Sequence, residues 1–332
     1  MSMAFSEIYG NRRVKEQLRE AALSGRAPHA LILAGRKGSG RSMLASAFLE
    51  ALLCPNRTGE GEPCGQCPVC VKLREGCHPD VITLQPDKPE LISVDDIRGQ
   101  INDTAGVRPW ESAYKVYIIP GAERMNVQAQ NALLKTLEEP PDYVMMILMT
   151  EDLSLMLPTV QSRALKLKTE ALSRAELEAL LDERHPGEEE GRALALSFAD
   201  GCGGRALELC GDAEFAALCG KLVALLKELP RLDFGEITMR VRELLAYGRD
   251  PQELLALMGR WYRDILVLRC TGSVEELSFR GEKRALLELA ETIDGDSIGS
   301  AMKEIEKCQC RMEARAGDEA CLRYLCLCLK EI

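Results

Sequence analysis

The sequence predicts an α/β nucleotide-binding domain that is followed by a region built only of helices. Three observations lead to this fold class. Apolar, strand-like runs alternate with helical patterns up to about residue 168, a glycine-rich loop follows the first of these runs, and no strand-like run follows residue 171. Strands that alternate with helices are typical of a doubly wound parallel sheet. The chain has 332 residues, too many for one ordinary core, so two or three domains are expected.

The strands of the α/β domain are predicted from continuous apolar runs, the pattern of parallel strands that are buried on both faces. Helices are predicted between them. One begins at Ser93, which together with Asp96 resembles a capping box. Another runs from near Asn126 to Glu139, where two prolines stop it. The five predicted strands are 29–34, 80–84, 115–119, 143–149 and 164–168.

The C-terminal half is predicted to consist of amphipathic helices. Ser173 and Glu176 form a capping box at the start of a helix that runs to about Glu183. A second helix follows to about residue 200, and Gly201–Gly204 is predicted to be a turn. Breaks near 230, 248–251, 271–272 and 295 divide the rest. We therefore predict three domains: an α/β domain over 1–168 with a zinc-binding insertion over 54–70, a small helical lid over 169–212, and a helical bundle over 213–332.

Composition narrows the functional class. The formal net charge of −10 argues against a protein that binds nucleic acid by itself, without partner subunits, because proteins that do so are normally basic. No apolar run approaches the roughly 20 residues that are needed to cross a bilayer, and the first ten residues lack the basic and apolar parts of a signal peptide. We expect a cytoplasmic protein with no membrane partner.

A glycine-rich loop at residues 35–42 nearly matches a phosphate-binding loop. The pattern requires Gly, four free positions, then Gly-Lys-Ser/Thr. Gly35, Gly40 and Ser42 fit it, Gly38 adds a further backbone donor, and Arg41 stands where the lysine is required. Such a loop binds phosphate through backbone N–H groups. The sequence leaves open whether nucleotide still binds, since arginine is longer than lysine and forked.

The acidic residues that a nucleotide hydrolase needs are missing from the expected place. In such enzymes a strand that follows the loop ends in acidic residues that hold Mg²⁺ and orient the attacking water. The corresponding strand here, 116–119, is followed by Pro120 and Gly121, and Glu123 is expected on a solvated turn. With both the lysine and the acids absent, hydrolysis of ATP by this chain is not expected.

Four of the fourteen cysteines are clustered and predict a structural zinc site. Cys54, Cys64, Cys67 and Cys70 have the spacing C-x9-C-x2-C-x2-C, and a stretch rich in glycine and proline connects the first two. Four thiolates suit tetrahedral zinc and leave no position open for a reacting water. Three alternatives remain: Cys77 or His78 replaces Cys54 as the fourth ligand, the cluster holds iron and sulfur, or the thiols carry no metal.

Several motifs together resemble the clamp-loader subunits of bacterial DNA polymerase III, which are AAA+ proteins. Residues 131–141 read Asn-Ala-Leu-Leu-Lys-Thr-Leu-Glu-Glu-Pro-Pro, the signature helix of that family. Gln161-Ser-Arg-Ala164 is similar to its Ser-Arg-Cys motif, Met149-Thr150 to its sensor 1, and Gly76–Asp80 to the segment after its zinc cysteines. The motifs cover roughly residues 5–212, and the later helices match only by pattern.

The resemblance implies a fold, partners and one catalytic residue. Family members form a pentameric ring of gamma/tau, delta and delta-prime subunits that loads the sliding clamp on primer-template DNA, held together by a C-terminal helical collar. ATP lies between subunits, and the arginine of the Ser-Arg-Cys motif is a finger toward a neighbour's γ-phosphate, which here implies Arg163. Thr150 is the sensor-1-like residue.

Departures from the family pattern favour one type of subunit. Arg41, Pro120 and Gly121 favour a non-hydrolysing, delta-prime-like subunit over a hydrolysing gamma/tau-like one, which remains the alternative. Gly204 stands where gamma/tau has its sensor-2 arginine, and Arg205 is one position off.

Overall fold

The computed structural model describes residues 4–25, 27–187, 189–275, 277–314 and 316–331. The chain divides into two compact units. The first runs to Glu183 and includes Asp200–Arg205, and the second contains Arg184–Ala199 and the chain from Ala206 onward. The three predicted domains follow a finer division, whose boundaries stay predictions.

A parallel sheet forms the centre of the first unit. In the described part of this unit it has five strands in the order β2-β3-β4-β1-β5. Each lies within one or two residues of a predicted strand, so the predicted alternation is confirmed. The strands are β1 (Ala30–Ala34), β2 (Val81–Thr83), β3 (Lys115–Pro120), β4 (Val144–Thr150) and β5 (Leu165–Lys168).

Helices cover both faces of this sheet. Alternate residues of β1 point to opposite faces, so Leu31 and Leu33 pack in one apolar cluster and Ile32 packs in the other. The first two helices contribute to the cluster of Leu31, and most of the later ones contribute to that of Ile32. The helices are α1 (Arg12–Ser24), α2 (Arg41–Leu53), α3 (Pro68–Arg74), α4 (Val94–Ile97), α5 (Asp103–Ala105), α6 (Val127–Glu138), α7 (Pro158–Gln161) and α8 (Arg174–Arg184).

Side chains fix the starts of these helices where the sequence predicts. The capping box of α4 is present, since the Ser93 hydroxyl accepts from the Asp96 N–H and Asp96 accepts from the Ser93 N–H. A π-helical turn, Arg98–Asn102, joins α4 to α5. The Asn126 side chain accepts from the Ala129 N–H at the start of α6.

The second unit is built of helices in the part that the structure describes. An aromatic row forms part of its core: Phe198 meets Phe215 and Phe279 edge to face, and Phe279 meets Trp261, with ring centroids 5.2–5.7 Å apart. Its helices are α9 (Glu189–Phe198), α10 (Gly203–Leu209), α11 (Ala213–Glu228), α12 (Phe234–Leu245), α13 (Pro251–Thr271), α14 (Lys283–Thr292), α15 (Gly295–Glu313) and α16 (Asp318–Lys330), the first residues of α10 belonging to the first unit.

The turn predicted over Gly201–Gly204 is too long. Helix α10 already begins at Gly203, so two of the glycines lie inside a helix. Glycine weakens a helix interior, but the close contacts of Gly204 described below leave no space for a side chain.

Asp80 anchors a surface loop to the start of β2. Its buried carboxylate accepts hydrogen bonds from the backbone N–H groups of Trp110, Glu111 and Ser112, at 2.5, 2.9 and 2.9 Å. Burial raises the pKa of Asp80, but these three donors outweigh burial and hold the pKa below its ordinary value. The ionised carboxylate therefore stabilises the fold above the unfolded-state pKa, and this stabilisation is lost as pH falls through the lower folded-state pKa.

We predict that Asp80→Asn lowers the free energy of unfolding by about 1–3 kcal/mol at neutral pH, because an amide cannot replace the charged acceptor. Urea unfolding followed by circular dichroism measures this. The difference from the wild type should shrink below about pH 4, where the aspartate becomes protonated. Asp142→Asn, at an exposed aspartate, is the control. Equal stabilities at neutral pH would contradict the anchoring role.

Candidate functional site

The glycine-rich loop lies at the carboxyl end of β1 and leads directly into α2. The Gly35 N–H donates to the Thr150 carbonyl at 3.0 Å, which ties the loop to the end of β4. Gly38 and Gly40 have φ of +79° and +91°, a region that residues with a side chain seldom adopt. Strand, loop and helix therefore follow one another as a phosphate-binding loop requires.

Arg41 turns toward a carboxylate of its own chain. Its Nη2 lies 3.2 Å from Oε1 of Glu151, and the Arg41 side chain is only 12% exposed. Ser42, the next loop residue, places its hydroxyl 3.9 Å from the sulfur of Met149. Because Glu151 already offsets the Arg41 charge, a phosphate in this loop would have to compete for that arginine.

The carboxyl ends of β3 and β4 carry two acidic residues that sequence reasoning missed or misplaced. Glu123 is half-buried and accepts the Glu151 N–H at 3.2 Å, although we expected it on a solvated turn. Thr150 is fully buried, and its hydroxyl donates to the Asp152 carbonyl. The carboxyl ends of parallel strands meet at one edge of the sheet. Acidic residues just after β3 and β4 were therefore the signal from which acids beside the loop could have been predicted. Glu151 directly follows β4, whereas Glu123 stands three residues after the end of β3.

The outer side of the loop packs against residues 200–205 of the same unit. The Gly204 N–H donates to the Gly38 carbonyl at 2.9 Å, and a Cβ on Gly204 would lie 2.8 Å from the Gly38 Cα. Arg36 and Asp200 lie 3.7 Å apart beside this contact. At Gly204, where the family resemblance leads us to expect the sensor-2 position, the close backbone contact thus leaves no space for a side chain.

Arg163 lies just before β5, at the sheet edge opposite to the glycine-rich loop. Its Nη2 is 2.8 Å from Oε1 of Glu138, and its Nη1 donates to the Thr159 carbonyl at 2.9 Å. β5 runs parallel to β1, so the entry of β5 and the exit of β1 are separated by the strand length, about 16 Å for five residues. The Arg163 side chain is 36% exposed.

The four clustered cysteines come together in a compact group. Their ligand atoms all lie within 4.8 Å of one another, and Sγ of Cys54 is 3.5 Å from that of Cys64 and 3.9 Å from that of Cys67. Tetrahedral zinc with Zn–S bonds of about 2.3 Å holds its sulfur atoms about 3.8 Å apart. The cluster, which includes the buried Cys70, fits a zinc ion by residue type and by spacing.

The two alternative ligands lie elsewhere. Cys77 is exposed and its thiol contacts the Lys72 carbonyl at 3.7 Å. His78 is buried, accepts the Asp80 N–H at 3.2 Å through Nδ1, and has Nε2 3.6 Å from Glu111. The structure therefore brings Cys54, and neither alternative, to the other three cysteines.

The thiols of the cluster differ in acidity. Backbone N–H groups of Gln66 and Cys67 lower the pKa of Cys64 to about 6. Burial raises the pKa of Cys54 and of Cys70, and the neighbouring Cys67 raises that of Cys70 further. A bound cation offsets the cost of ionising buried thiols. Zinc would therefore stabilise the ionised thiols of Cys54 and Cys70.

These features define an α/β phosphate-loop domain of the AAA+ type with a cysteine cluster and a following helical region. The family model described as "DNA polymerase III, delta subunit" matches residues 10–173. The tau subunit of DNA polymerase III from Bacillus subtilis is 30% identical, over 82% of this chain and 51% of the relative. The delta' subunit from Pseudomonas aeruginosa is 39% identical, over 43% of this chain and 44% of the relative.

The chain therefore belongs to the family of DNA polymerase III clamp-loader subunits. It spans about half the length of these two curated relatives. A solved structure of a gamma subunit-related protein from Thermotoga maritima is similar over 95% of this chain and 98% of its own, at 21% identity and a TM-score of 0.48.

In the part of the chain that the structure describes, every helix is too short or too polar to cross a bilayer.

We predict that the purified protein contains about one zinc ion per chain, because four thiolates satisfy tetrahedral zinc. Cys67→Ser should lose the metal, and Cys77→Ser, at the exposed cysteine nearby, should keep it. Metal analysis by mass spectrometry measures both. Full occupancy in a Cys54→Ala variant would reassign the fourth ligand, and a visible absorption band would indicate iron and sulfur instead.

Proposed function

We propose that this chain is a non-hydrolysing, delta-prime-like subunit of the clamp loader, and that its chemical contribution is Arg163, supplied to the ATP of a neighbouring subunit. A guanidinium stabilises the negative charge that builds on a phosphoryl group during transfer. The observation that carries the proposal is the position of Arg163, exposed at the sheet edge opposite to the chain's own glycine-rich loop.

The distance between Arg163 and the chain's own glycine-rich loop favours an action of Arg163 on another chain. A side chain of arginine reaches about 7 Å from its Cα, by its length in bonds, less than the length of the strand that separates the two edges. A phosphate at the chain's own loop therefore lies out of reach of Arg163. If Arg163 contacts a nucleotide, that nucleotide belongs to a partner.

The state of the chain's own loop supports the non-hydrolysing part of the proposal. Arg41 replaces the lysine and pairs with Glu151, and β3 ends in Pro120 with Gly121 after it. Neither Pro120 nor Gly121 has a side chain that binds a metal or activates a water. The Gly35 N–H is taken by the Thr150 carbonyl, but the backbone N–H groups of Gly38, Gly40 and Ser42 would still support weak phosphate binding.

One alternative has an observation in its favour. Glu123 and Glu151 meet at the carboxyl edge of the sheet beside the loop, and a hydrolase of the gamma/tau type with a divergent loop would need acids near that place. Against it, Glu151 is already paired with Arg41, and Glu123 stands three residues beyond the end of β3. We therefore rank the hydrolysing subunit second.

The proposed partners follow from family membership. They are the gamma/tau and delta subunits, held through the C-terminal helices as a collar, with the sliding clamp and primer-template DNA engaged by the whole hetero-oligomer in the cytoplasm. The net charge of −10 agrees with a subunit that leaves most DNA contact to its neighbours. The cysteine cluster would be a structural zinc site.

We predict that the isolated chain does not turn over ATP in a steady-state phosphate-release assay, because the lysine and the strand-end acids are both absent. Weak nucleotide binding without turnover agrees with the proposal. Turnover that disappears in Arg41→Ala would contradict it and favour the gamma/tau type. Turnover that persists in that variant would indicate a contaminating enzyme.

We predict that Arg163→Ala lowers the ATPase rate at the site which faces this chain in a reconstituted clamp loader, while folding and assembly are retained. Arginine fingers contribute on the order of 10³-fold or more to such rates, and the loss summed over the ring is smaller because other sites keep their own fingers. Arg163→Lys should also be slow, since lysine lacks the planar fork.

Arg174→Ala is the matched control for Arg163→Ala, because Arg174 is an exposed arginine whose ion pair lies within its own helix. Complex mass by light scattering checks assembly. If the Arg163→Ala complex hydrolyses ATP and loads clamps at the wild-type rate, Arg163 is a surface residue without a catalytic role.

A further inference from the structure

We propose that Glu138 is a positioning residue for Arg163: its carboxylate holds the guanidinium in the orientation in which it meets a partner's phosphate. This inference rests on the proposed function of Arg163 and adds to it. The central contact is the ion pair between Nη2 of Arg163 and Oε1 of Glu138, at 2.8 Å.

The backbone that leads to Arg163 is fixed by partly buried hydrogen bonds from two glutamine side chains. Gln130, in the first turn of α6 and 2% exposed, donates to the Leu155 carbonyl at 3.0 Å and accepts the Leu157 N–H at 2.6 Å. Gln161, in the last turn of α7, donates to the carbonyls of Leu153 and Met156. The segment that ends in Arg163 is therefore tied to α6, the helix that also carries Glu138.

The tip of the arginine is fixed at separate points. Nη1 donates to the Thr159 carbonyl at 2.9 Å, and Nη2 faces Glu138. Without Glu138, the guanidinium would keep only the contacts of Nη1 to the Thr159 carbonyl and, at 3.4 Å, to the Ser162 hydroxyl, and the side chain would regain rotamer freedom. Catalytic groups lose rate when they are displaced by as little as about 1 Å, so a second anchor at the tip favours productive encounters.

Glu138 can hold Arg163 without blocking it. A guanidinium has more N–H donors than the contacts to Glu138 and Thr159 use, and the Arg163 side chain is exposed in part. A phosphate oxygen can therefore bind the remaining donors while Glu138 stays in place. Two prolines follow directly after Glu139 and end α6 there, which fixes the place of Glu138 at the last turn.

The chain supplies a matched control at the adjacent position. Glu139 has the same charge and is exposed, and among the described residues it has no ion pair. A general effect of negative charge at this surface should appear in both glutamates. An effect that acts through Arg163 should appear only in Glu138.

The test is a double-mutant cycle in the reconstituted clamp loader, with the wild type, Glu138→Gln, Arg163→Ala, the double variant and Glu139→Gln. We expect Glu138→Gln to lower kcat for ATP about two- to fivefold, the range of an exposed ion pair, with KM unchanged. The double variant should be no slower than Arg163→Ala, and Glu139→Gln should match the wild type. Thermal melting of each chain checks folding.

The outcomes separate this inference from the function on which it rests. If Arg163→Ala has no effect, the proposed function fails. If Arg163→Ala slows the complex but Glu138→Gln does not, or accelerates it, the positioning role fails and the function stands. If Glu138→Gln slows the complex further in the Arg163→Ala background, Glu138 acts through something other than Arg163, which also overturns the inference.

Discussion

Parallel pairing of β1 with β4 and β5 is the constraint on which the rest of the first unit depends. Parallel strands gather their carboxyl ends at one edge of a sheet and their amino ends at the other. The glycine-rich loop, Thr150 and the two glutamates that follow β3 and β4 therefore share one edge. Arg163 and Glu138 precede strands and lie at the other edge. Chain direction alone thus places the glycine-rich loop and Arg163 at opposite edges of the sheet.

Much of this arrangement could be predicted from the sequence because its signals are local. Apolar runs defined the five strands, the Ser93–Asp96 and Asn126 caps defined helix starts, and cysteine spacing defined the cluster. The ion pairs that hold Arg41 and Arg163 could not be predicted from local sequence signals. Arg41 with Glu151 and Arg163 with Glu138 join residues 110 and 25 positions apart, and a pairing of that kind depends on strand order and on side-chain rotamers.

At Glu123 and at Gly203–Gly204, the structure differs from the prediction because of contacts with distant parts of the chain. The sequence predicts Glu123 on a solvated turn, because it stands several residues beyond the end of its strand. Glu123 does lie in a turn, Ala122–Arg124, but it is half-buried and accepts the Glu151 N–H at the carboxyl edge of the sheet. The sequence predicts a turn over Gly201–Gly204. The missing side chain of Gly204 lets α10 begin against the backbone of Gly38, and a side chain on Gly203 would meet those of Leu172 and Leu180.

Helix α2 connects the two special loops of the first unit. Gly40 of the glycine-rich loop caps its first turn, and Cys54 of the cysteine cluster follows its last residue. The helix is buried along most of its length, and its thirteen residues span about 20 Å. A metal bound by Cys54 would hold the C-terminal end of α2, whose N-terminal end supports the glycine-rich loop. Loss of a metal from Cys54 would therefore act first on the last turn of α2, and would affect the glycine-rich loop only through the length of the helix.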